Sequence, residues 1–314
     1  MKSYYKNKKV LIAGGSGLVG TNLFNKLKFF KSKVVSSFFK NKRYEKDYKK
    51  YNFLNISDCI NATKDKDIVF ICAVKGSGIK NLETNFFEEN LNNIKIRLNL
   101  IEACRVNKVK KVLWISSSTV YQPLKNKISE NEIDLNLNPY PVYYGVGWSY
   151  RYIEKVIWYY NIKFRMDIKI IRTTSIYGPH DNFDSEKSHV IPSLIKKTYN
   201  DKFISVWGDK NIVRDFVFVE DLVEAMLRLL PKSPINFPVN FSSGRPTSIK
   251  NLVEIILKIY KNPKKIKYKF FNRSSARYRV LKNSKINKLI KMRKRTKLES
   301  GLKKTMNWYN LNVK

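Results

Sequence analysis

The sequence contains little cysteine and little histidine. Its 314 residues include three cysteines and two histidines. Cys59, Cys72 and Cys104 form an odd set without CxxC spacing, which argues against a disulfide framework and against a zinc site. Each lies in or beside an apolar stretch, so we expect buried free thiols and no bound metal.

Long hydrophobic runs are also absent. No stretch of about eighteen or more uncharged apolar residues offers a membrane span. The N-terminal lysines lead directly into a strand-like segment, without the apolar core of a signal peptide. We therefore expect no membrane association and a cytoplasmic location. Hydrophobic residues make up 43% of the chain, which predicts one large core with a smaller lobe, or two domains.

Acidic residues are few: 25 Asp and Glu stand against 62 Lys and Arg, a formal charge of +37. Such an excess raises nucleic acid or another anionic surface as a partner. The cations are scattered along the whole chain, however, and accompany the richness in Asn, Ile, Phe and Tyr that an AT-rich coding sequence produces. We favour this compositional bias and keep nucleic-acid binding as the alternative.

The first half of the chain alternates short β-branched segments with helical patterns. The strand-like segments include KKVLIAGG, SKVVSSFF, DIVFICAV, KKVLWISSS and MDIKIIRTTSIYG. Strands separated by helices predict a doubly wound parallel sheet with right-handed crossovers. We expect residues 1–177 to form a dinucleotide-binding domain. Residues 178–314 are expected to form mainly a substrate-binding lobe, with residues 206–232 returning to the sheet.

A glycine-rich loop lies between the first strand and the first long helix. Gly14, Gly17 and Gly20 have the spacing GxxGxxG. The first allows a tight turn, the second lets backbone approach a pyrophosphate, and the third permits close packing of helix on strand. We favour dinucleotide binding over a structural turn. The predicted fold class is therefore α/β, a Rossmann-type doubly wound parallel sheet with a smaller C-terminal substrate-binding lobe.

The residues after the second strand bear on the choice of cofactor. An NAD-specific site has an Asp or Glu about twenty residues beyond the glycine loop. This sequence offers instead Ser36, Ser37, Lys40, Lys42 and Arg43, which tolerate or attract a 2′-phosphate. We expect NADP(H) as the cofactor, with NAD possible; in the alternative, these lysines only face solvent.

Later motifs resemble the extended short-chain dehydrogenase/reductase family, most closely its GDP-L-fucose synthase branch, over nearly the whole chain. The similar segments are CAVKGSGI (72–79), SSSTVY (116–121), YGPHDNFDSEKSHVIP (177–192), VWGDKNIVRDFVFVEDLVEA (206–225) and LESGLKKTMNWY (298–309). The resemblance implies an NADP(H)-dependent reductase or epimerase of a nucleoside diphosphate (NDP) 4-keto-6-deoxy sugar, and a homodimer. An NDP-sugar 4-epimerase or dehydratase is the alternative. An inactive scaffold that binds dinucleotide or RNA is the alternative of another class.

In this family a tyrosine acts as general acid or base, a lysine lowers the pKa of that tyrosine and holds the nicotinamide ribose, and a serine orients the reacting oxygen. The resemblance implies Ser117, Tyr144, His189 and Arg151 as catalytic residues. It implies cofactor contacts by Gly14, Ser16, Gly17, Leu18, Val19, Gly20, Asn55, Ala73, Lys75 and Asn90, and substrate contacts by Thr119, Asn182, Trp207 and Arg214. His189 as a structural histidine and Asn90 as a polar residue on a helix surface are the alternatives.

Two positions depart from the family pattern. The lysine expected four residues after the tyrosine is missing: Trp148 follows Tyr144 at that distance, and a two-residue insertion would put Tyr150 there instead. Arg151 would supply the charge if Gly145 and Gly147 kink the helix; in the alternative it is an exposed cation. Thr119 replaces a cysteine that serves in epimerisation, and its hydroxyl is a weaker acid than a thiol, which puts double epimerisation in doubt.

Overall fold

A computed structural model describes residues 1–39, 46–74, 86–123, 125–184, 188–261, 263–269, 276–292 and 294–314. The strands are β1 (Lys9–Ala13), β2 (Lys33–Phe38), β3 (Tyr48–Lys50), β4 (Ile68–Ile71), β5 (Lys111–Ser117), β6 (Ile168–Thr173), β7 (Ser175–Tyr177), β8 (Phe203–Trp207), β9 (Val213–Phe218), β10 (Val239–Phe241), β11 (Pro246–Ser248), β12 (Lys265–Lys269) and β13 (Tyr278–Arg279). The helices are α1 (Lys2–Tyr5), α2 (Leu18–Phe29), α3 (Ile56–Thr63), α4 (Phe86–Val106), α5 (Tyr144–Lys163), α6 (Val190–Asn200), α7 (Val219–Leu229), α8 (Ile249–Tyr260), α9 (Ser284–Leu289) and α10 (Leu298–Asn312).

Seven strands form one parallel sheet, in the order β10-β6-β5-β4-β1-β2-β3. The chain winds outward from β1 to β3 and then returns to β4, so the strand order reverses between β1 and β4. In open α/β sheets, ligands bind at this reversal, beside the carboxyl ends of the strands. The sheet confirms the predicted doubly wound Rossmann-type fold.

The alternation of side chains along β1 shows why both faces of the sheet are covered. Val10 and Ile12 join a core that includes residues of α2 and α7, whereas Leu11 and Ala13 join a second core with residues of α3, α4 and α5. Successive strand residues point to opposite faces, so a continuous apolar strand needs a helical layer on each side.

The smaller lobe has a separate core and two small sheets. Its core includes residues of α6, α8 and α10. Strand β9 pairs with β11, β13 and β7, while β8 pairs with β12. Strand β9 is therefore the central strand of the larger of these two sheets, and it carries Arg214.

The prediction that residues 206–232 return to the large sheet is partly wrong. Of residues 206–232, β9 belongs to a sheet of the smaller lobe, and α7 packs on the core beside α2. The strand that rejoins the large sheet is β10, which pairs with β6. A strand of three residues carries too little periodicity to be recognised in the sequence.

The three cysteines are free thiols. Burial raises the pKa of Cys59 and of Cys72 to about 12, and it also raises the pKa of Cys104, so these thiols are poor nucleophiles at neutral pH. In the described part of the chain, no helix is long and apolar enough to cross a membrane. No group of three or more metal-ligating side chains was found within the same residues.

Candidate functional site

The glycine loop is tightly packed around its first and third glycines and open at the second. A Cβ on Gly14, whose φ is +86°, would lie 2.6 Å from the backbone of Ala73. A Cβ on Gly20 would lie 2.2 Å from the Gly14 carbonyl oxygen. Gly17 precedes α2 and has only one atom within 4 Å of its Cβ position, at 3.6 Å. An open backbone at a helix N-terminus fits a pyrophosphate.

Two serines of β2 secure this loop. The backbone N–H of Gly14 donates to Ser37 Oγ at 2.8 Å, and a Cβ on Gly15 would lie 1.7 Å from Ser36 Oγ. Both serines are buried; Ser37 Oγ supports the loop through the Gly14 N–H, whereas Ser36 Oγ packs against Gly15 and has no hydrogen-bond partner among the described residues. Lys40, Lys42 and Arg43, expected near the 2′-phosphate, lie outside the described residues.

The other predicted cofactor residues have varied surroundings. Ser16, Leu18 and Val19 are partly buried in the loop and the first turn of α2. Asn55 caps α3, since its Oδ1 accepts the Ser57 N–H at 2.9 Å. Ala73 packs against Gly14, Asn90 is partly buried on α4, and Lys75 lies outside the described residues. Capping is thus the role that the structure shows for Asn55.

Hydroxyl groups collect where β5 and β6 end. Ser117 Oγ accepts the Thr119 N–H at 3.2 Å, which leaves the Ser117 hydroxyl proton for another acceptor. The hydroxyls of Thr119, Thr173 and Thr174 are buried and have no hydrogen-bond partner within the described residues. Unpaired buried hydroxyls are costly in a folded protein, and here they line the sheet edge where ligands bind in this type of fold.

Helix α5 runs without interruption, so the kink predicted at Gly145 and Gly147 does not form. Gly147 instead permits close approach, because a Cβ there would lie 2.6 Å from the carbonyl oxygen of Thr119. Trp148, four residues after Tyr144, donates its indole N–H to Asn138 Oδ1 at 3.2 Å. Trp148 therefore occupies the place of the family's lysine, and α5 has no lysine one helical turn after Tyr144.

Tyr150, which an insertion would put at the lysine position, and Arg151, the candidate for the missing charge, both have structural partners. Tyr150 stacks on Trp114 with ring centroids 5.5 Å apart, and the Arg97 guanidinium carbon lies 4.1 Å from the Tyr150 ring centroid. Arg151 is buried and donates from Nε to the Val120 carbonyl at 2.7 Å and from a terminal nitrogen to the Leu137 carbonyl at 2.6 Å. Arg151 thus braces the loop between β5 and α5.

Four interacting side chains form a group that we call the arginine cluster: Tyr143, His189, Arg214 and Arg279. The Arg279 guanidinium carbon lies 4.9 Å from the Tyr143 ring centroid, and the positive charges of Arg279 and Arg214 both act on the Tyr143 phenol. Arg214 is 7% exposed and donates to the Ala276 carbonyl at 2.5 Å. Within the described chain, no carboxylate forms an ion pair with either arginine.

The charges of the arginine cluster change its acid–base properties. Positive charge on Arg279, followed by that on Arg214, lowers the pKa of the Tyr143 phenol. Burial and the neighbouring Arg279 lower the pKa of Arg214 to about 10. Loss of water around His189, together with the charge of Arg279, lowers the pKa of His189, so this imidazole is neutral at pH 7 and can accept a proton.

Two predicted substrate residues lie outside the arginine cluster. Asn182 is exposed, and its Oδ1 accepts the Asp184 N–H at 3.0 Å within the loop after β7. Trp207 is 55% exposed at the end of β8, with the Lys269 ammonium 5.3 Å from its ring centroid. These surroundings do not show whether Asn182 or Trp207 contacts a substrate, so both substrate contacts remain predictions.

Sequence reasoning missed two groups, Arg279 and Asp181, and it leaves open which of the adjacent residues Tyr143 and Tyr144 is the acid. Arg279 lies in a long basic stretch and looks like one more surface cation. Asp181 is a buried carboxyl in the loop after β7; burial raises its pKa to about 7, and its Oδ2 has no partner within the described residues.

A family model described as NAD dependent epimerase/dehydratase family matches residues 10–239. The chain belongs to this family. The chain is similar to GDP-mannose 3,5-epimerase 1 of Oryza sativa subsp. indica, with 28% identity over 82% of this chain and 70% of the relative. The probable GDP-L-fucose synthase 1 of Oryza sativa subsp. japonica is 28% identical over 98% of this chain and 94% of the relative.

A solved structure agrees with this assignment at the level of the fold. The GDP-L-fucose synthetase from Naegleria fowleri bound to NADP superposes with a TM-score of 0.84 and 20% identity, covering 98% of this chain and 94% of that one. As a member of the NAD dependent epimerase/dehydratase family, the chain is an enzyme of the extended short-chain dehydrogenase/reductase type. This confirms the family that the sequence motifs predicted.

Proposed function

We propose that this protein is an NADP(H)-dependent reductase or epimerase that acts on a nucleoside diphosphate 4-keto-6-deoxy sugar. The observation that carries the proposal is the arginine cluster, where Arg214 and Arg279 meet with no carboxylate partner among the described residues. Two guanidinium groups held together in a cleft repel each other unless an anion lies between or beside them. A diphosphate matches their charge and accepts paired hydrogen bonds from guanidinium groups.

The glycine loop supports a dinucleotide cofactor. Gly17 leaves open backbone at the start of α2, and the unpaired hydroxyls of Thr119, Thr173 and Thr174 lie at strand ends of the same sheet. When bound, the nicotinamide supplies or accepts a hydride. The residues at the strand ends would hold and orient the sugar beside it.

The protein groups would share the proton chemistry. The Ser117 hydroxyl can donate to the reacting oxygen, because its own lone pair already accepts the Thr119 N–H. A tyrosine at the start of α5 gives or takes the proton of the sugar hydroxyl, and the sequence motif assigns this task to Tyr144. Neutral His189 would assist epimerisation by accepting a proton from carbon.

Cofactor preference follows from the end of β2. No carboxylate of the described residues 33–39 is present to repel a 2′-phosphate, because this segment reads KVVSSFF. We therefore propose that NADPH binds more tightly than NADH. Calorimetric titration with each cofactor at moderate salt would check this, and a preference for NADH would contradict it.

A second candidate, a 4-epimerase that recycles its hydride, is favoured by the similarity to UDP-glucuronate 4-epimerase of Thermodesulfobacterium geofontis, which is 28% identical over 70% of this chain. Absorbance of NADPH separates the two when it is followed during turnover of GDP-4-keto-6-deoxymannose for the reductase and of GDP-mannose or UDP-glucose, which carry a C4 hydroxyl, for the 4-epimerase. A reductase consumes one NADPH for each sugar converted, whereas an epimerase that recycles its hydride consumes none. Conversion without loss of NADPH would contradict the reductase and support the epimerase.

We also propose a homodimer that forms through the outer face of α5. Tyr152, Trp158, Tyr159 and Ile162 are each about half exposed on this helix. Lys155 is exposed on the same helix face, between Tyr152 and Tyr159. The exposed aromatic and apolar side chains around it suit a second copy, because the same side chains of that copy meet them across a two-fold axis.

A further inference from the structure

Tyr150 lies on the face of α5 that packs on the large sheet. Its ring stacks on Trp114 of β5, with the centroids 5.5 Å apart and the ring planes within 21° of parallel. Ile153, three residues further along α5, shares this face and is buried in the same core. Trp148 lies two residues before Tyr150, which is about 200° around the helix, so it faces away from β5 and bonds Asn138 instead.

The ring of Tyr150 is directed toward the carboxyl end of β5. Side chains of a helix tilt toward its N-terminus, and the first turns of α5 touch the turn that follows β5. There a Cβ at Gly147 would lie 2.6 Å from the Thr119 carbonyl oxygen. In agreement, Tyr150 packs against a small core that includes Val120 of this turn. The turn begins at Ser117, the predicted serine of the site.

Arg97 brings a buried positive charge to the same place. It belongs to α4 and is only 2% exposed. Its guanidinium carbon lies 4.1 Å from the ring centroid of Tyr150 and 5.6 Å from that of Trp114. A cation over an aromatic ring is attracted to it, and more strongly where water is excluded. Arg97 therefore holds the ring of Tyr150 in place.

Both residues keep hydrogen-bond donors unused. The Nε and one terminal nitrogen of Arg97 are buried and have no hydrogen-bond partner. The Tyr150 hydroxyl makes no hydrogen bond within the described part of the chain. Buried donors without an acceptor cost free energy, so each of them calls for an explanation. A ligand with hydroxyl oxygens, such as a ribose, supplies acceptors of the required kind.

We propose that Tyr150 and Arg97 share the task of the missing lysine at the cofactor. This inference rests on the cofactor of the proposed function. A lysine ammonium combines hydrogen-bond donors and a positive charge in one group. Here the Tyr150 hydroxyl donates to the ribose of the nicotinamide half, and Arg97 supplies the charge. Tyr150 is thus a cofactor-binding residue and Arg97 a positioning residue, while Tyr144 keeps the acid–base task that the motif assigns to it.

The test compares two ligands by calorimetric titration. NADPH contains the nicotinamide ribose, whereas adenosine 2′,5′-bisphosphate carries only the adenosine half of the cofactor. Tyr150→Phe keeps the stacked ring and removes only the hydroxyl. We expect it to weaken NADPH binding by about 3-fold to 10-fold, the effect of one hydrogen bond, and to leave the binding of the bisphosphate unchanged.

Variants of Arg97 separate its charge from its packing. Arg97→Met should weaken NADPH binding by about 10-fold, and Arg97→Lys, which keeps the positive charge, should recover most of the affinity. Arg105→Met is the matched control, because Arg105 lies in the last turn of α4 and is paired with Glu102. It should bind both ligands as the wild type does. Urea unfolding of each variant shows whether the fold is retained.

Wild-type affinity of Tyr150→Phe for NADPH would overturn the inference. So would an equal loss of both ligands in this variant, since a structural role affects the whole cofactor site. Equally weak NADPH binding by Arg97→Lys and Arg97→Met would refute the role of the Arg97 charge. A wild type that binds neither ligand would overturn the proposed cofactor together with this inference. A wild type that binds NADPH but converts no nucleotide sugar would overturn only the proposed reaction.

Discussion

Arg279 lies against Tyr143, with its guanidinium carbon 4.9 Å from the ring centroid, although the two residues are far apart in the sequence. Arg279 belongs to β13 of the smaller lobe, and Tyr143 belongs to the turn before α5. The contact therefore joins the lobe to the helix that packs on the large sheet. A site built from both parts suits two ligands that bind side by side, a sugar nucleotide and a dinucleotide.

The open second glycine of the loop gives the first prediction. Gly17→Asp should raise the dissociation constant of NADPH by about 100-fold or more, because a carboxylate would stand where the pyrophosphate meets the start of α2. The fold should be retained, since a Cβ at Gly17 has no contact closer than 3.6 Å. Calorimetry measures the affinity, and unchanged NADPH binding would contradict the loop assignment.

The third glycine should behave differently. Gly20→Ala should lower the free energy of unfolding by about 1–3 kcal/mol, because its Cβ would lie 2.2 Å from the Gly14 carbonyl oxygen. Urea unfolding of Gly20→Ala and Gly17→Ala compares the two positions directly. Equal stability of both variants would show that Gly20 is not needed for close packing.

The anion site predicts a separate effect on nucleotide binding. Arg279→Met should weaken the binding of GDP or UDP by about 10-fold to 100-fold, in line with the loss of a charged hydrogen bond, while NADPH binding stays unchanged. Arg277→Met, at an exposed position on the same segment, is the matched control. If both variants weaken nucleotide binding equally, general charge and not the arginine cluster holds the nucleotide.

The sequence predicted the large sheet well because its signals are local. β1, the glycines of the loop and the start of α2 follow one another directly, and each residue type is required by the turn that it makes. Runs of β-branched and other apolar residues predicted strands such as β5 and β6. The family could also be predicted, because each of its motifs is one continuous segment of the sequence.

The arginine cluster could not be predicted because its contacts are tertiary. Arg279 lies against Tyr143 although the two residues are far apart in the chain, so no spacing of neighbouring residues predicts this contact. The expected role of Arg151 depended on a helix kink, yet α5 stays regular through both glycines. Asn55 was expected at the cofactor, and the structure shows that its side chain caps α3.

The buried carboxyl of Asp181 predicts a dependence of stability on pH. Burial raises its pKa from the ordinary value near 4 to about 7. A raised pKa means that the stabilisation is complete below about pH 4 and is lost as the pH rises through 7. At about 1.4 kcal/mol for each pKa unit, the loss is at most on the order of 4 kcal/mol.

Asp181→Asn should remove this dependence and be more stable than the wild type at pH 8. The amide oxygen can still accept the Asn182 N–H that Asp181 Oδ1 accepts at 2.8 Å. Urea unfolding at pH 5 and pH 8 measures the difference, with Asp184→Asn as the exposed control. The same change with pH in wild type and Asp181→Asn would contradict the assignment.

The outer face of α5 predicts the oligomeric state. Replacing Tyr159 and Ile162 together by Glu should convert the dimer into a monomer, because both side chains are about half exposed and would bring charge into the contact. Leu311→Glu, at an apolar residue of α10 that is 82% exposed, should leave the dimer intact. Light scattering after size exclusion gives the mass, and a wild-type monomer would refute the proposal.

The most direct test of the proposed function is product analysis by NMR and mass spectrometry. The protein is incubated with NADPH or NAD and with GDP-4-keto-6-deoxymannose, GDP-mannose or UDP-glucose. We predict that the 4-keto sugar is converted to a reduced or epimerised product with NADPH, and that the conversion is lost in Gly17→Asp, where the cofactor cradle is blocked. Recovery of all three nucleotide sugars unchanged, from wild-type protein that binds NADPH, would contradict the proposed function.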